Sequence, residues 1–297
     1  MKRFSLGLVL VLTFVAVGIA AAPPLTFTFT DPMATKTAME TDTYAVNNAG
    51  AIAGDYVDAG GVQHGMILAG STLTTVDVTG CTSTPGTGAV AFFGINKAGD
   101  AAGWCINSSG LPVGFLWYKG KVGFVKFPKA MGTEVNGLND KGDLAGIYFD
   151  SASTQHGFVR VGGKFTTVDV TGDTTSTPWG INYGGIVTVE ATNSSGVIDS
   201  FLYNTKTKKF RMKNVTGATQ SIIHSINNKG DIVYTYDTSD GHRHGGLFHG
   251  GKFFAVDDPK ATGTNGTRAD GVNDTLVIVG RYSPADGSSH GFQATTK

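Results

Sequence analysis

The sequence predicts an all-β protein: a six-bladed β-propeller of four-stranded antiparallel blades, closed by an N-terminal strand that completes the last blade. Three observations predict it. One core motif recurs six times, each repeat holds four short apolar runs, and the last repeat lacks a fourth run that reappears near the start of the chain. Composition agrees: 43 of 297 residues are Gly, 40% are hydrophobic and only 15% are charged. That profile suits many short strands joined by many turns.

In chain order, residues 1–20 read as an export signal. Lys2 and Arg3 supply the charged start, Leu6 to Val17 a mostly apolar run, and Gly18 and Ala20 the small residues before a cleavage placed after Ala20. The apolar run is shorter than the roughly 20 residues a spanning helix needs, and no second apolar segment follows it. The expectation is a secreted or periplasmic protein with no stable membrane insertion once the signal is removed. Formal charge is zero, and −2 once Lys2 and Arg3 are gone, which gives no basis for nucleic-acid binding. Residues 21–297 then form one domain, with a strand at about 25–31 completing the blade that begins near 268.

The repeat cores are Tyr44-AVNNAGAIAGDY, Phe93-GINKAGDAAGWC, Asn136-GLNDKGDLAGIY, Trp179-GINYGGIVTVEA, His224-SINNKGDIVYTY and Asp270-GVNDTLVIVGRY. Their shared Asn residues (Asn47, Asn96, Asn139, Asn182, Asn227 and Asn273) are spaced by 43 to 49 residues, the period of propeller blades. In the third repeat the four runs fall near Glu134–Asn139, Asp143–Phe149, Gln155–Val161 and Lys164–Val170. Runs of this length, rich in Val, Phe, Ile and Thr and broken by Gly and Asn, are strands, and four per unit make a blade. The sixth repeat stops at His290-GFQATTK, while LTFTFTDPMAT from Leu25 matches KFFAVDDPKAT from Lys252. Splitting a blade between the chain ends closes a ring and hides edge strands.

The Gly-Ile-Asn core, the Gly-x-Tyr strand end and the His-x-Phe motif resemble those of the bacterial extracellular HAF-repeat (His-Ala-Phe) family. The resemblance spans essentially the whole chain after the signal. Gly replaces the Ala, as in His156-Gly157-Phe158, and repeats 2 and 4 lack the His. It implies export and a repeat fold, and no general activity.

A residue kept at one place in every repeat serves the blade, while one that changes at a fixed exposed place is free to serve a ligand. The shared Asn belongs to the first kind, as a turn-satisfying amide. So do His64, His156, His244 and His290, which begin the third strand of four blades. His242 and His244 are the weak metal candidates, two residues apart on a strand. The second kind is the residue three before each shared Asn: Tyr44, Phe93, Asn136, Trp179, His224 and Asp270. A small residue and then an apolar one always follow it. These six are the expected ligand-binding ring, placed at the start of the innermost strand and so at the mouth of the central channel. Asp42, Glu134 and Arg268, two residues earlier, add charge nearby. Cys81 and Cys105 fall on the same face, which favours a disulfide.

Three functions fit this reading. The first is a binding module for glycans or cell-surface polymers, since aromatic faces beside polar groups suit amphipathic ligands. The second is a structural or protein-interaction scaffold whose ring residues pack between blades. The third is a hydrolase or lyase using Glu134, His224 and Asp270 as acid, base and orienting groups. No local catalytic signature supports the third, and no cofactor is expected.

Overall fold

The computed structural model describes residues 25–84 and 89–296. The expected signal, residues 1–20, lies outside them. Among the described residues there are 24 strands and no helix. They form a six-bladed propeller in which each repeat folds as a four-stranded antiparallel meander. Blade 3 is representative. Gly132–Leu138 lines the channel, and Leu144–Phe149, Gln155–Val161 and Lys164–Thr167 follow outward in sequence order.

The split blade closes as the sequence predicts. Phe27–Thr30 pairs antiparallel with the last strand, His290–Thr296, as the outer strand of blade 6. One parallel bridge between Thr41 and His290 joins blades 6 and 1, so those two blades read as one continuous eight-stranded sheet. The Thr43 hydroxyl reinforces the seam, donating to the Gly280 carbonyl at 2.7 Å.

The core lies between blades. Six buried apolar clusters correspond to the six interfaces; one joins Ala53 and Ile67 of blade 1 to Phe92 and Phe115 of blade 2. At their inner ends the blades meet backbone to backbone, which explains the small residue two before each shared Asn. A Cβ on Gly137 would lie 2.5 Å from the Trp179 carbonyl of the next blade.

The shared Asn residues tie this inner rim together. Each Oδ1 accepts from backbone N–H groups of its own turn, as Asn139 does from Lys141 and Asp143 at 2.9 Å. The Nδ2 then reaches the next blade: Asn139 donates to the Asn182 carbonyl at 3.0 Å, Asn182 to Asn227 at 3.1 Å, Asn227 to Asn273 at 2.9 Å, Asn273 to Asn47 at 3.0 Å and Asn47 to Asn96 at 3.0 Å. Asn96 instead donates to Asp100. Buried amides whose oxygen and nitrogen are both paired are structural, and here they stitch blade to blade.

Candidate functional site

Every innermost strand carries a β-bulge at the residue three before the shared Asn. The pairing register shifts between Thr43 and Ala45, Phe92 and Gly94, Val135 and Gly137, Pro178 and Ile181, Ile223 and Ser225, and Ala269 and Gly271. A bulged residue has no cross-strand partner and its side chain is re-aimed. Here all six bulged residues (Tyr44, Phe93, Asn136, Trp179, His224 and Asp270) line one central cavity of about 220 Å³.

The expected depth needs correction. These residues are not at strand starts: their strands begin at Glu40, Gly132 and Gln220 in blades 1, 3 and 5, four residues upstream. The ring sits inside the channel, below the mouth, because the bulge falls late in the strand. The bulge also explains the glycine seven residues after the shared Asn. A Cβ on Gly54, Gly103, Gly146 or Gly280 would overlap the carbonyl oxygen of Asp42, Ala91, Glu134 or Arg268.

Behind the bulged residue stands a second-strand residue, eight after each shared Asn, matched to it in chemistry in most blades. Phe93 stacks on Trp104 at 5.6 Å and 7°. Trp179 Nε1 donates to Glu190 Oε2 at 2.9 Å, and His224 Nε2 meets the Thr235 hydroxyl at 3.0 Å. Arg281 donates to Asp270 at 3.2 Å and lies over the Tyr44 ring at 4.7 Å. In blade 1 the partner is Asp55, whose carboxyl is pushed well above its usual range by burial and then by Asp42. In blade 3 the partner is Ile147, and Asn136 turns instead to the next blade, donating to the Pro178 carbonyl at 3.2 Å. These partners vary from blade to blade at one fixed offset, eight residues after the shared Asn.

The ring is asymmetric. Tyr44 and Phe93 are in ring contact at 4.6 Å, and Trp179 meets His224 edge-on at 5.6 Å. Burial pushes the His224 imidazole down to about 4, against the pull of Asp270, so it is neutral at pH 7. Three buried polar atoms at or behind the wall have no partner: Asn136 Oδ1, Trp104 Nε1 and Asp55 Oδ1.

The acid–base set expected for a hydrolase or lyase is not assembled. His224 Nδ1 and Asp270 lie 3.7 Å apart, but Glu134 is outside the cavity lining and touches neither. Burial alone raises the Glu134 carboxyl to about 7. The metal candidates also need correction. The strand begins at Arg243, so His242 lies outside it and does not share a strand face with His244. His242 pairs with Asp240 at 3.4 Å and His244 with Asp257 at 3.0 Å. Among the described residues no group of three His, Cys, Asp or Glu is placed to hold a metal ion.

The repeated histidines form clamps on the outer blades. His64, His156 and His244 each bond an Asp thirteen residues later and stack on a second-strand Tyr, as His156 does on Asp169 at 2.8 Å and Tyr148 at 5.0 Å. His290 stacks on Tyr282 and bonds Ser288 instead. Blade 4 uses Asp199 with Asn214, at 2.6 Å. In blade 2 the Tyr position is Cys105, which forms a disulfide with Cys81 across a Cα–Cα distance of 5.8 Å.

No family model matches the chain, and no curated protein matches it. Solved structures do. The chain is similar to TolB from Acinetobacter baumannii, with 9% identity and a TM-score of 0.55, covering 86% of this chain but only 64% of that one. It is similar to a protein assigned as TolB from Agrobacterium tumefaciens, with 12% identity and a TM-score of 0.58 over 86% and 90% of the two chains. A fungal lectin from Aleuria aurantia, described as a six-bladed β-propeller with a fucose recognition mode, matches with 12% identity and a TM-score of 0.52 over 87% and 92%. At these identities the likeness establishes the fold: a six-bladed β-propeller.

Proposed function

We propose that the ring is a binding module that takes a glycan, or the end of a cell-surface polymer, into its central channel. One observation carries this reading: a constant backbone device, the bulge, delivers six chemically different side chains into one cavity. A packing role would favour apolar residues throughout, as at the buried position just before the shared Asn, where Val46, Ile95, Leu138, Ile181, Ile226 and Val272 stand. Aromatic faces beside polar side chains, one of them Asn136 with an unpaired Oδ1, match the alternating C–H and hydroxyl faces of a sugar. The cavity, about 220 Å³, falls below the roughly 300–1,000 Å³ of drug-sized sites, so it suits a single sugar unit. That two of the similar structures are fucose-binding or TolB propellers is consistent with binding on this scaffold.

The same reading places the protein outside the cytoplasm, supported by the signal-like first 20 residues and by the disulfide. Membership of the HAF-repeat family, resting on the repeat motifs, is part of the proposal.

A glycan panel titrated against tryptophan fluorescence tests it, with Trp179→Ala alongside. The expected result is a saturable change for at least one glycan and a loss of affinity of about tenfold or more in the folded variant. If no glycan changes the signal and Trp179 resists aqueous quenchers, the ring is packing and the reading falls.

A further inference from the structure

We propose that the sugar taken into the channel is a uronic acid, its single carboxylate held by Arg268 and its hydroxyls satisfying Asn136. This rests on the binding-module reading above.

Arg268 lies on the innermost strand of blade 6 (Thr267–Val272), two residues before Asp270, and lines the cavity. Its guanidinium makes no hydrogen bond or ion pair with any described residue. Both neighbouring arginines are matched. Arg281, cross-strand from Arg268, donates to Asp270 at 3.2 Å and lies 3.7 Å from Asp42. Arg243 grips Asp237 through two bonds, at 2.9 and 3.1 Å. Arg268 is therefore the one of these three arginines whose N–H groups find no acceptor, although Asp270 and Glu190 stand near enough to feel its charge. A partly desolvated guanidinium with no hydrogen-bond acceptor is costly, and its planar fork matches the two oxygens of a carboxylate.

Asp270 and Glu190 line the same cavity, so a ligand bearing a second negative charge would be repelled. That favours a carboxylate over a phosphate dianion. Asn136 specifies the rest of the ligand. It is 3% exposed, its Nδ2 is used on Pro178, and its Oδ1 has no partner. Only a donor can satisfy that oxygen, and a hydroxyl is the donor a sugar brings. Phe93 and Trp179, on the blades either side of Asn136, line the same cavity and supply apolar faces for the sugar ring.

The test compares galacturonate and glucuronate disaccharides with their methyl esters, which remove the charge at the cost of one added methyl group, and with a hexose phosphate. Binding is measured by calorimetry on the wild type, Arg268→Gln and Arg268→Lys. The expected result is that one acid binds about tenfold or more tightly than its ester, and that Arg268→Gln removes this preference. Equal binding of acid and ester, a preference that survives Arg268→Gln, or a phosphate that outbinds both acids overturns the proposal. If neutral glycans bind without any preference for acids, this proposal fails and the binding module stands; if nothing binds, both fall. Should the variants misfold, the wild-type preference for acid over ester must shrink as salt rises from about 0.01 to 1 M, and constancy overturns the proposal.

Discussion

Two rings of side chains stand three residues apart on the same six strands, and they follow opposite rules. The shared Asn ring repeats one residue six times and leaves no buried amide atom unpaired. The bulge ring repeats one backbone distortion and varies the residue every time, with an orphaned acceptor at Asn136. Repetition of side chain marks what holds the ring together. Repetition of backbone geometry with free choice of side chain marks what the ring can present. Within one blade, Asn139 and Asn136 make the contrast with the same residue type.

Breaking that contrast starts with Asn139→Ala. It removes two accepted and two donated bonds and should cost about 4 kcal/mol in urea unfolding. Asn136→Ala loses one donated bond and should cost about 1 kcal/mol. Equal costs would erase the distinction between the rings. Next comes the disulfide, which replaces the Tyr–His–Asp clamp in blade 2. Cys81 and Cys105 are 24 residues apart, and Cys81→Ser with Cys105→Ser should cost about 3 kcal/mol in the chain-entropy account. A cost below about 1 kcal/mol would mean that the bond adds no more than the clamp it replaces.

The smallest effect sharpens the comparison by pH. His156 on the outer clamp has a raised pKa, chiefly through its bond to Asp169. Its contribution is fully present below the ordinary 6.5 and is lost as pH rises through the folded value. Channel His224 is the reverse: held neutral down to about 4, it costs stability as pH falls from 6.5 toward 4, because only the unfolded chain takes the proton. His156→Gln should flatten the alkaline limb of the stability curve, and His224→Gln the acid limb, where Glu134 acts with opposite sign because burial lifts it to about 7. Chemical denaturation across pH 4 to 9 reads both. Identical profiles for the two variants would show that the two sets of histidines are not electrostatically distinct.

The scaffold was legible because its signals are local and repeated. A turn-forming Asn, a following Gly and a split last blade each leave a mark in one line of sequence. The bulge left only an indirect mark, the Gly seven residues after four of the shared Asn residues, whose meaning the register alone reveals. Strand alternation says that residues 42 and 44 share a face, but an extra residue at Tyr44 interrupts the pairing and moves the ring from the mouth into the channel. The second-strand partners Trp104, Glu190 and Arg281 were hidden for the same reason, since only the observed register places them behind Phe93, Trp179 and Asp270. The Tyr–His–Asp clamp was half legible. Its His and Gly-x-Tyr marks were visible separately, and it took the stack of Tyr148 on His156 to show them as one device.

The strand Phe27–Thr30 finds its partner at His290–Thr296, where Thr30 bonds a residue 263 positions away. Five blades can form from neighbouring segments as soon as each is complete, but the sixth must wait for both ends of the chain to meet. Closing so long a loop costs entropy that no local contact offsets in advance, and folding slows with such separations. The docking of the first strand is thus the contact with the largest loop-closure cost in the ring, and a chain lacking that strand would leave blade 6 with a bare outer edge.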